Sequence, residues 1–243
     1  MSKKIFLFFG AALFTQLAFS QSNLGSESRS FSFYEEQVAP GWARAKDSTS
    51  MVILSHGVVT VLLAGTQDNS VRDSWKNNQQ IESKYSKYGD QFGTYGVSFL
   101  IAGGQWIWDR ENSKNHLRAL IAVTAVGTSA KIIANRERPN QSNRLSFPSG
   151  HTFGAFATAT SLSYAYGWKA AAVMFPVATF VGLSRIADDE HWLSDVVAGA
   201  FLGFYLGRAT YYEDTHIKPT VQTSYVVPLL EKDRAGLQWV AYF

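Results

Sequence analysis

Residues 131–195 read KIIANRERPNQSNRLSFPSGHTFGAFATATSLSYAYGWKAAAVMFPVATFVGLSRIADDEHWLSD. Three clusters follow one another in this stretch: Lys131-x6-Arg138-Pro139, Pro148-Ser149-Gly150-His151, and Ser184-Arg185-x5-His191-x3-Asp195. They supply three fixed cations, two imidazoles, a carboxylate and a Ser-Gly turn able to open a helix. Such a set suits the holding of a phosphoryl group and its transfer through histidine.

A transferring phosphoryl group spreads charge over three oxygens, so the protein must surround it with cations and N–H donors. Arg138 and Arg185 offer planar forks and Lys131 a point charge. Lys131 and Arg138 are seven apart and would share a helix face; Pro139 predicts that the helix ends at Arg138. Ser149 is a favoured N-cap for the apolar run Thr152 to Trp168, and a helix start offers free N–H groups to an anion. Gly150 lets the backbone come close to a ligand. His151 falls at the mouth of the same site, placed to protonate a leaving oxygen. His191 and Asp195 are four apart, neighbours on a helix that Asp188, Asp189 and Glu190 would open. A carboxylate on one ring nitrogen leaves the other free as a nucleophile. The reading is therefore His191 as nucleophile, Asp195 orienting it and His151 as general acid. Taken singly, each cluster is also compatible with surface charge or a helix-face hydrogen bond; the three in order are what point to chemistry.

These clusters resemble the signature of the type 2 phosphatidic acid phosphatase superfamily, which also holds bacterial non-specific acid phosphatases and vanadium haloperoxidases. The match falls on Lys131, Arg138 and Pro139; on Pro148, Ser149, Gly150 and His151; and on Ser184, Arg185, His191 and Asp195, in roughly the middle quarter of the chain. The resemblance implies an all-α fold, phosphate ester hydrolysis without a metal or cofactor, and the roles assigned above. Only eight residues separate Pro139 from Pro148, short beside the secreted acid phosphatases, which predicts an open mouth without a large lid.

Outward from this stretch, the 243 residues suffice for one domain with a core. Lys3 and Lys4, the apolar run to Phe19, and Ala18 and Ser20 predict a secretory signal over 1–20; an uncleaved anchor is the alternative. Its removal takes two lysines from a net charge of +3, and a mature chain so near neutral gives no case for nucleic-acid binding. There are no cysteines, hence no disulfides and no thiolate metal site; export without them suggests a bacterial envelope.

Residues 21–50 are expected to form a polar leader and 51–211 an all-α compact bundle of about six core helices. Its expected segments are Met51 to Thr66, Gln91 to Trp108, Ala119 to Ala134, Thr152 to Trp168, Ala170 to Leu183 kinked at Pro176, and a last helix carrying His191 and Asp195. Gln67 to Asp90 is expected as a solvated helix or connection, and Asp109 to Arg118 as a charged turn. His56 is expected as a packing histidine. Gly199, Gly203 and Gly207 form a smooth stripe for a close backbone approach. The tail over 212–243 is expected to form a short β-hairpin.

Most apolar runs are short of a full span and the mean hydropathy is −0.08. Six spans after a cleaved signal would also put the motifs on the cytoplasmic side. Both points lean toward a periplasmic bundle touching the membrane, against an integral inner-membrane enzyme. The expected activity is hydrolysis of phosphate mono- or diphosphate esters in the cell envelope. The expected partners are a phosphorylated lipid, or a small soluble ester, and the membrane. Phe147, Phe153, Phe156 and Trp192 could wall a lipid tail, though such aromatics are more often core. Vanadate-dependent halide oxidation, with His191 holding vanadate, and non-catalytic phosphate binding are the competing classes.

Overall fold

The computed structural model describes residues 44–78 and 80–212, and the backbone of 223–231 and 234–242. The expected signal, and the leader up to residue 43, lie outside the described residues. The body over 44–212 is all-helical, with eight helices: α1 (Ser48–Gly65), α2 (Asp68–Asn77), α3 (Ser83–Phe92), α4 (Tyr95–Gln105), α5 (Arg110–Ala134), α6 (Gly150–Tyr166), α7 (Trp168–Ala187) and α8 (Leu193–Ala209). Two strands, β1 (Thr223–Glu231) and β2 (Arg234–Tyr242), pair antiparallel from Thr223↔Tyr242 to Glu231↔Arg234.

Several boundaries differ from the sequence reading for local reasons. Asp109 to Arg118 is not a turn. The Asp109 carboxylate accepts the Asn112 N–H at 3.2 Å and starts α5, so the charged residues form its first turns. That helix stops at Ala134, four residues before Arg138, because Asn135 takes a left-handed φ of 44°. Asn tolerates that conformation, and its N–H returns to the Lys131 carbonyl at 3.0 Å. The shared helix face expected for Lys131 and Arg138 therefore does not exist. Gln67 to Asp90 resolves into α2 and α3, and α7 runs on through Pro176. His56 is exposed on α1, its Nδ1 2.8 Å from the Val52 carbonyl oxygen of its own helix.

Contacts order the helix ends. Asp47, at the start of α1, pairs with Arg208 near the end of α8, and Tyr166, closing α6, donates to Asp109 before α5. At the opposite end, the Ser149 N–H ahead of α6 donates to the Asp195 carbonyl in the first turn of α8 at 2.9 Å. The end of α5, the end of α7 and the starts of α6 and α8 therefore meet at one end of the bundle. All three clusters sit there.

Helix α6 is the axis of the core, with Phe153, Ala157 and Ala159 fully buried. The glycine stripe of α8 lies against it. A Cβ on Gly199 would stand 2.7 Å from the Ser149 carbonyl oxygen, and one on Gly203 2.4 Å from that of Phe153. Backbone cannot yield as a side-chain tip can, so only glycine permits this approach. Three of the helices, α1, α5 and α7, are each long and apolar enough, by length and composition, to cross a membrane.

Gly203→Ala is expected to lower stability by about 1–3 kcal/mol through overpacking. Gly103→Ala, where a Cβ meets nothing within 4 Å, should be neutral or slightly stabilising. Thermal unfolding of the two variants beside the parent checks the contrast.

Candidate active site

A cavity of about 400 Å³ opens at the end where the clusters meet, and Arg138, His151, Arg185 and His191 all line it. Four of the eight sequence-derived residues thus surround one space. Asp195, Ser149, Gly150 and Lys131 lie outside that lining. Lys131 donates to the Leu145 carbonyl at 2.8 Å. Gly150 is buried beside Lys131 and Tyr95; a Cβ there would stand 2.9 Å from the Tyr95 hydroxyl. Ser149 precedes α6 as expected, but its hydroxyl does not cap the helix and accepts instead from Thr152 at 2.9 Å. The first-turn amides of α6 keep no helical acceptor.

His191 is placed differently from the sequence reading. It lies before α8, not on it, because Asp189 turns left-handed at φ 57° and Trp192 takes extended geometry as the N-cap. Asp188, Asp189 and Glu190 form the turn that leaves α7 and do not start α8. Asp195 still approaches His191, with Oδ2 3.7 Å from Nδ1. Ser146 stands between them: its hydroxyl donates to Asp195 Oδ2 at 2.5 Å and is 3.5 Å from His191 Nδ1. Both His191 and Asp195 are buried. Burial first, then the charges of Lys131 and Arg138, outweigh Asp195 and push the His191 imidazole down to about 4. The ring is therefore neutral at neutral pH, with Nδ1 turned to Asp195 and Ser146.

A fully buried carboxylate needs partners. Asp195 Oδ1 accepts from Arg136 Nη1 at 2.7 Å and Oδ2 from the Trp192 N–H at 3.0 Å. The other arm of Arg136 reaches Asp68 Oδ2 on α2 at 2.7 Å, and Asp68 also accepts the N–H and hydroxyl of Ser194 at 2.9 and 2.7 Å. Trp192 is not a lipid wall. Its ring faces the Arg72 and Arg136 guanidinium groups at 5.4 and 5.5 Å, and its Nε1–H donates to the Glu137 carbonyl at 2.9 Å. Phe153 is core, and neither Phe147 nor Phe156 lines the cavity.

Sequence reasoning missed Arg136, Ser146, Asp68 and Asp90. Arg136 and Ser146 lie inside the motif stretch, a position that marked them; Asp68 and Asp90 carried no local signal.

The cavity's two arginines are already engaged. Arg138 pairs with Glu190 and holds Asn143 Oδ1 at 3.0 Å. Arg185 pairs with Asp188 and with Asp90 on α3, and Asp90 Oδ1 is also 3.1 Å from His151 Nε2. Burial first, and then the charge of Arg185, lower the His151 pKa below its ordinary 6.5, with Asp90 opposing. Among the described residues no group of three or more His, Asp or Glu side chains is arranged to hold a metal ion.

The PAP2 superfamily model matches residues 114–216, a span holding all three clusters and the helices that carry them. Residues 114–216 are a PAP2 superfamily domain. Over 88 residues, 35% of this chain, it is 41% identical to a lipid A 1-phosphatase of Porphyromonas gingivalis, and over 68 residues, 28% of this chain, 32% identical to a lipid A 4'-phosphatase of Helicobacter pylori. The chain spans 20% and 34% of the length of those two relatives. A transmembrane PAP2 type phosphatidylglycerolphosphate phosphatase of Bacillus subtilis shares the fold at a TM-score of 0.50. It is 17% identical, over 64% of this chain and 90% of that one.

Removing the cation that joins Asp68 to Asp195 strands two buried carboxylates. Arg136→Met is expected to destabilise the fold by about 3–5 kcal/mol, measured as a fall in the denaturation midpoint at neutral pH.

Proposed function

We propose that this chain is a metal-independent phosphatase of lipid-linked phosphate esters, working in the cell envelope through a phosphohistidine on His191. The observation that carries this is the buried, neutral His191 lining a cavity with Arg138, Arg185 and His151, its Nδ1 directed at Asp195 and Ser146. That arrangement leaves Nε2 as the free nitrogen. In the first step Nε2 attacks phosphorus, the ester P–O bond breaks, and His151 gives its proton to the leaving oxygen. In the second step His151 takes a proton from water, the resulting hydroxide attacks phosphorus, the P–N bond breaks, and phosphate leaves. Arg138, Arg185, Lys131, the Ser149 hydroxyl and the Gly150 amide would steady the equatorial oxygens.

The names of the two relatives, both lipid A phosphatases, support a lipid phosphate as substrate. The surface supports a protein seated in the inner membrane over a water-soluble bundle. On α1 alone Leu62 and Leu63 are 68% and 62% exposed, and Ile132 and Ile133 near the end of α5 are 67% and 76% exposed. Single exposed apolar residues need no explanation, but continuous faces on three spanning-length helices do. Trp106, Trp108, Tyr166 and Trp168 are exposed around the end away from the site, and Tyr85 and Tyr88 around the site end, as interfacial belts would be. Washing membranes with alkaline carbonate should leave the protein with the bilayer. Release into the supernatant would favour the soluble bundle.

The reaction is tested by phosphate release from a polyprenyl pyrophosphate and from an aryl phosphate, in EDTA. Release is expected from the lipid and should vanish in His191→Ala; release from the aryl ester alone would indicate a scavenger of small esters. The pH dependence of kcat/KM reports the free enzyme. His191 must be neutral, so the acid limb should fall near pH 4, where that group titrates. His151 must be protonated, so activity should already decline on the alkaline side below its ordinary 6.5. An alkaline limb above pH 7 would contradict the assignment of His151 as the acid.

A further inference from the structure

Arg185 cannot offer phosphate a two-pronged grip while its present partners remain. A guanidinium has five N–H groups, and a phosphate is gripped by two parallel ones on the same edge. In Arg185, Nε donates to Ser184 Oγ at 3.2 Å, Nη1 to Asp90, and Nη2 to both Asp188 and the Ser86 carbonyl, the last at 3.4 Å. Every nitrogen is engaged, so no edge has two free donors. One partner has to leave.

The partners differ in how easily they leave. Ser184 and Ser86 are buried, and the Ser86 acceptor is backbone. The Asp188 side chain is 29% exposed and follows Arg185 by one helical turn. The Asp90 side chain is 50% exposed and comes from a different helix; like Asp188, it lines the cavity. It also touches His151 Nε2, so it covers two groups that the proposed reaction uses. A solvated carboxylate returns to water at little cost.

We propose that Asp90 is a specificity-determining residue, a tethered carboxylate occupying the phosphoryl place on Arg185 and His151, which only a ligand of greater negative charge displaces. The inference rests on the phosphatase reading above and names the charge class of its substrate. Exchanging Asp90 for a monoanion brings no additional charge toward Arg185, Arg138 and Lys131. The tethered group also holds the advantage of effective concentration. A dianion adds one negative charge facing the same cations, and displaces it. The site would thereby take terminal phosphates and reject phosphodiesters, each of which carries a single charge. In a bilayer, where diester headgroups surround the mouth, that distinction separates substrate from solvent.

Titration calorimetry of the folded full-length protein tests this without turnover. Two probes are used at about pH 8: inorganic phosphate, there mostly a dianion, and dimethyl phosphate, a monoanion. The wild type is expected to bind phosphate and not dimethyl phosphate. Asp90→Asn and Asp90→Ser should bind phosphate roughly tenfold tighter and gain binding of dimethyl phosphate, while Asp90→Glu should behave as wild type. Because Asp90 opposes the cations around His151, the alkaline limb of kcat/KM should also move to lower pH in Asp90→Asn. Phosphate binding in both variants that is unchanged or weaker, with the wild type binding normally, overturns the proposal alone. Failure of folded wild type and variants alike to bind phosphate overturns the phosphatase reading with it.

Discussion

The pairing of Arg136 with two buried carboxylates is the contact on which the rest of the site depends. Asp195 has no exposed surface and Asp68 almost none, so neither charge is tolerable without a cation. Arg136 supplies it from the loop between α5 and α6 and so ties that loop to α2 and to the start of α8. Asp195 can then stay ionised, with one oxygen left for Ser146 beside His191. Burial would raise the Asp195 pKa, but the donors around it, His191, Ser146 and Arg136, hold it below the ordinary carboxylate range. The charge that would fix the tautomer of His191 is thus held by residues outside the cavity lining.

The bundle makes this possible by setting the starts of α6 and α8 side by side. The Ser149 N–H donates to the Asp195 carbonyl only because α8 lies against α6 without intervening side chains. Any Cβ at Gly199 or Gly203 would push the two helix starts apart. The stripe is therefore a precondition for His151 and His191 to face one cavity, and core packing and site geometry share the same residues. Gly93 acts alike on the other side. A Cβ there would stand 2.8 Å from the His151 Cβ, so the α3–α4 turn could not close over that histidine.

The gathering of the three clusters was legible in the sequence and the local backbone was not. Arg138, His151, Arg185 and His191 do converge, because the kinds of residue needed around a phosphoryl group announce themselves at any backbone geometry. The same-face argument for Lys131 and Arg138, and the helical i,i+4 argument for His191 and Asp195, both assumed unbroken helix. Asn135 and Asp189, each left-handed, break it, and single residues of that kind leave no periodic trace. The glycine stripe was legible because its spacing repeats. Asp68 and Asp90 were not, because they meet the site from 126 and 95 positions away in sequence, at Ser194 and Arg185 respectively. Contacts of that range follow from how α2 and α3 lie over the bundle end, which no local pattern states.

These two short helices also bear on charge. Five arginines stand at the bundle end, and each meets at least one carboxylate: Arg72 with Asp189, Arg136 with Asp68 and Asp195, Arg138 with Glu190, Arg144 with Glu137, and Arg185 with Asp90 and Asp188. In a low-dielectric setting, uncompensated cations so close together would repel one another strongly. Compensation lets the site form before any ligand arrives, and it makes ligand entry an exchange of anions. The pairs differ in kind. Those of Arg136 are deeply buried on the acid side and serve the scaffold, while Asp90 and Glu190 are partly solvated and line the cavity. A site built this way would hold its shape through the first set and release the second to an incoming anion. Burial of the carboxylate, more than length of contact, is what separates the two.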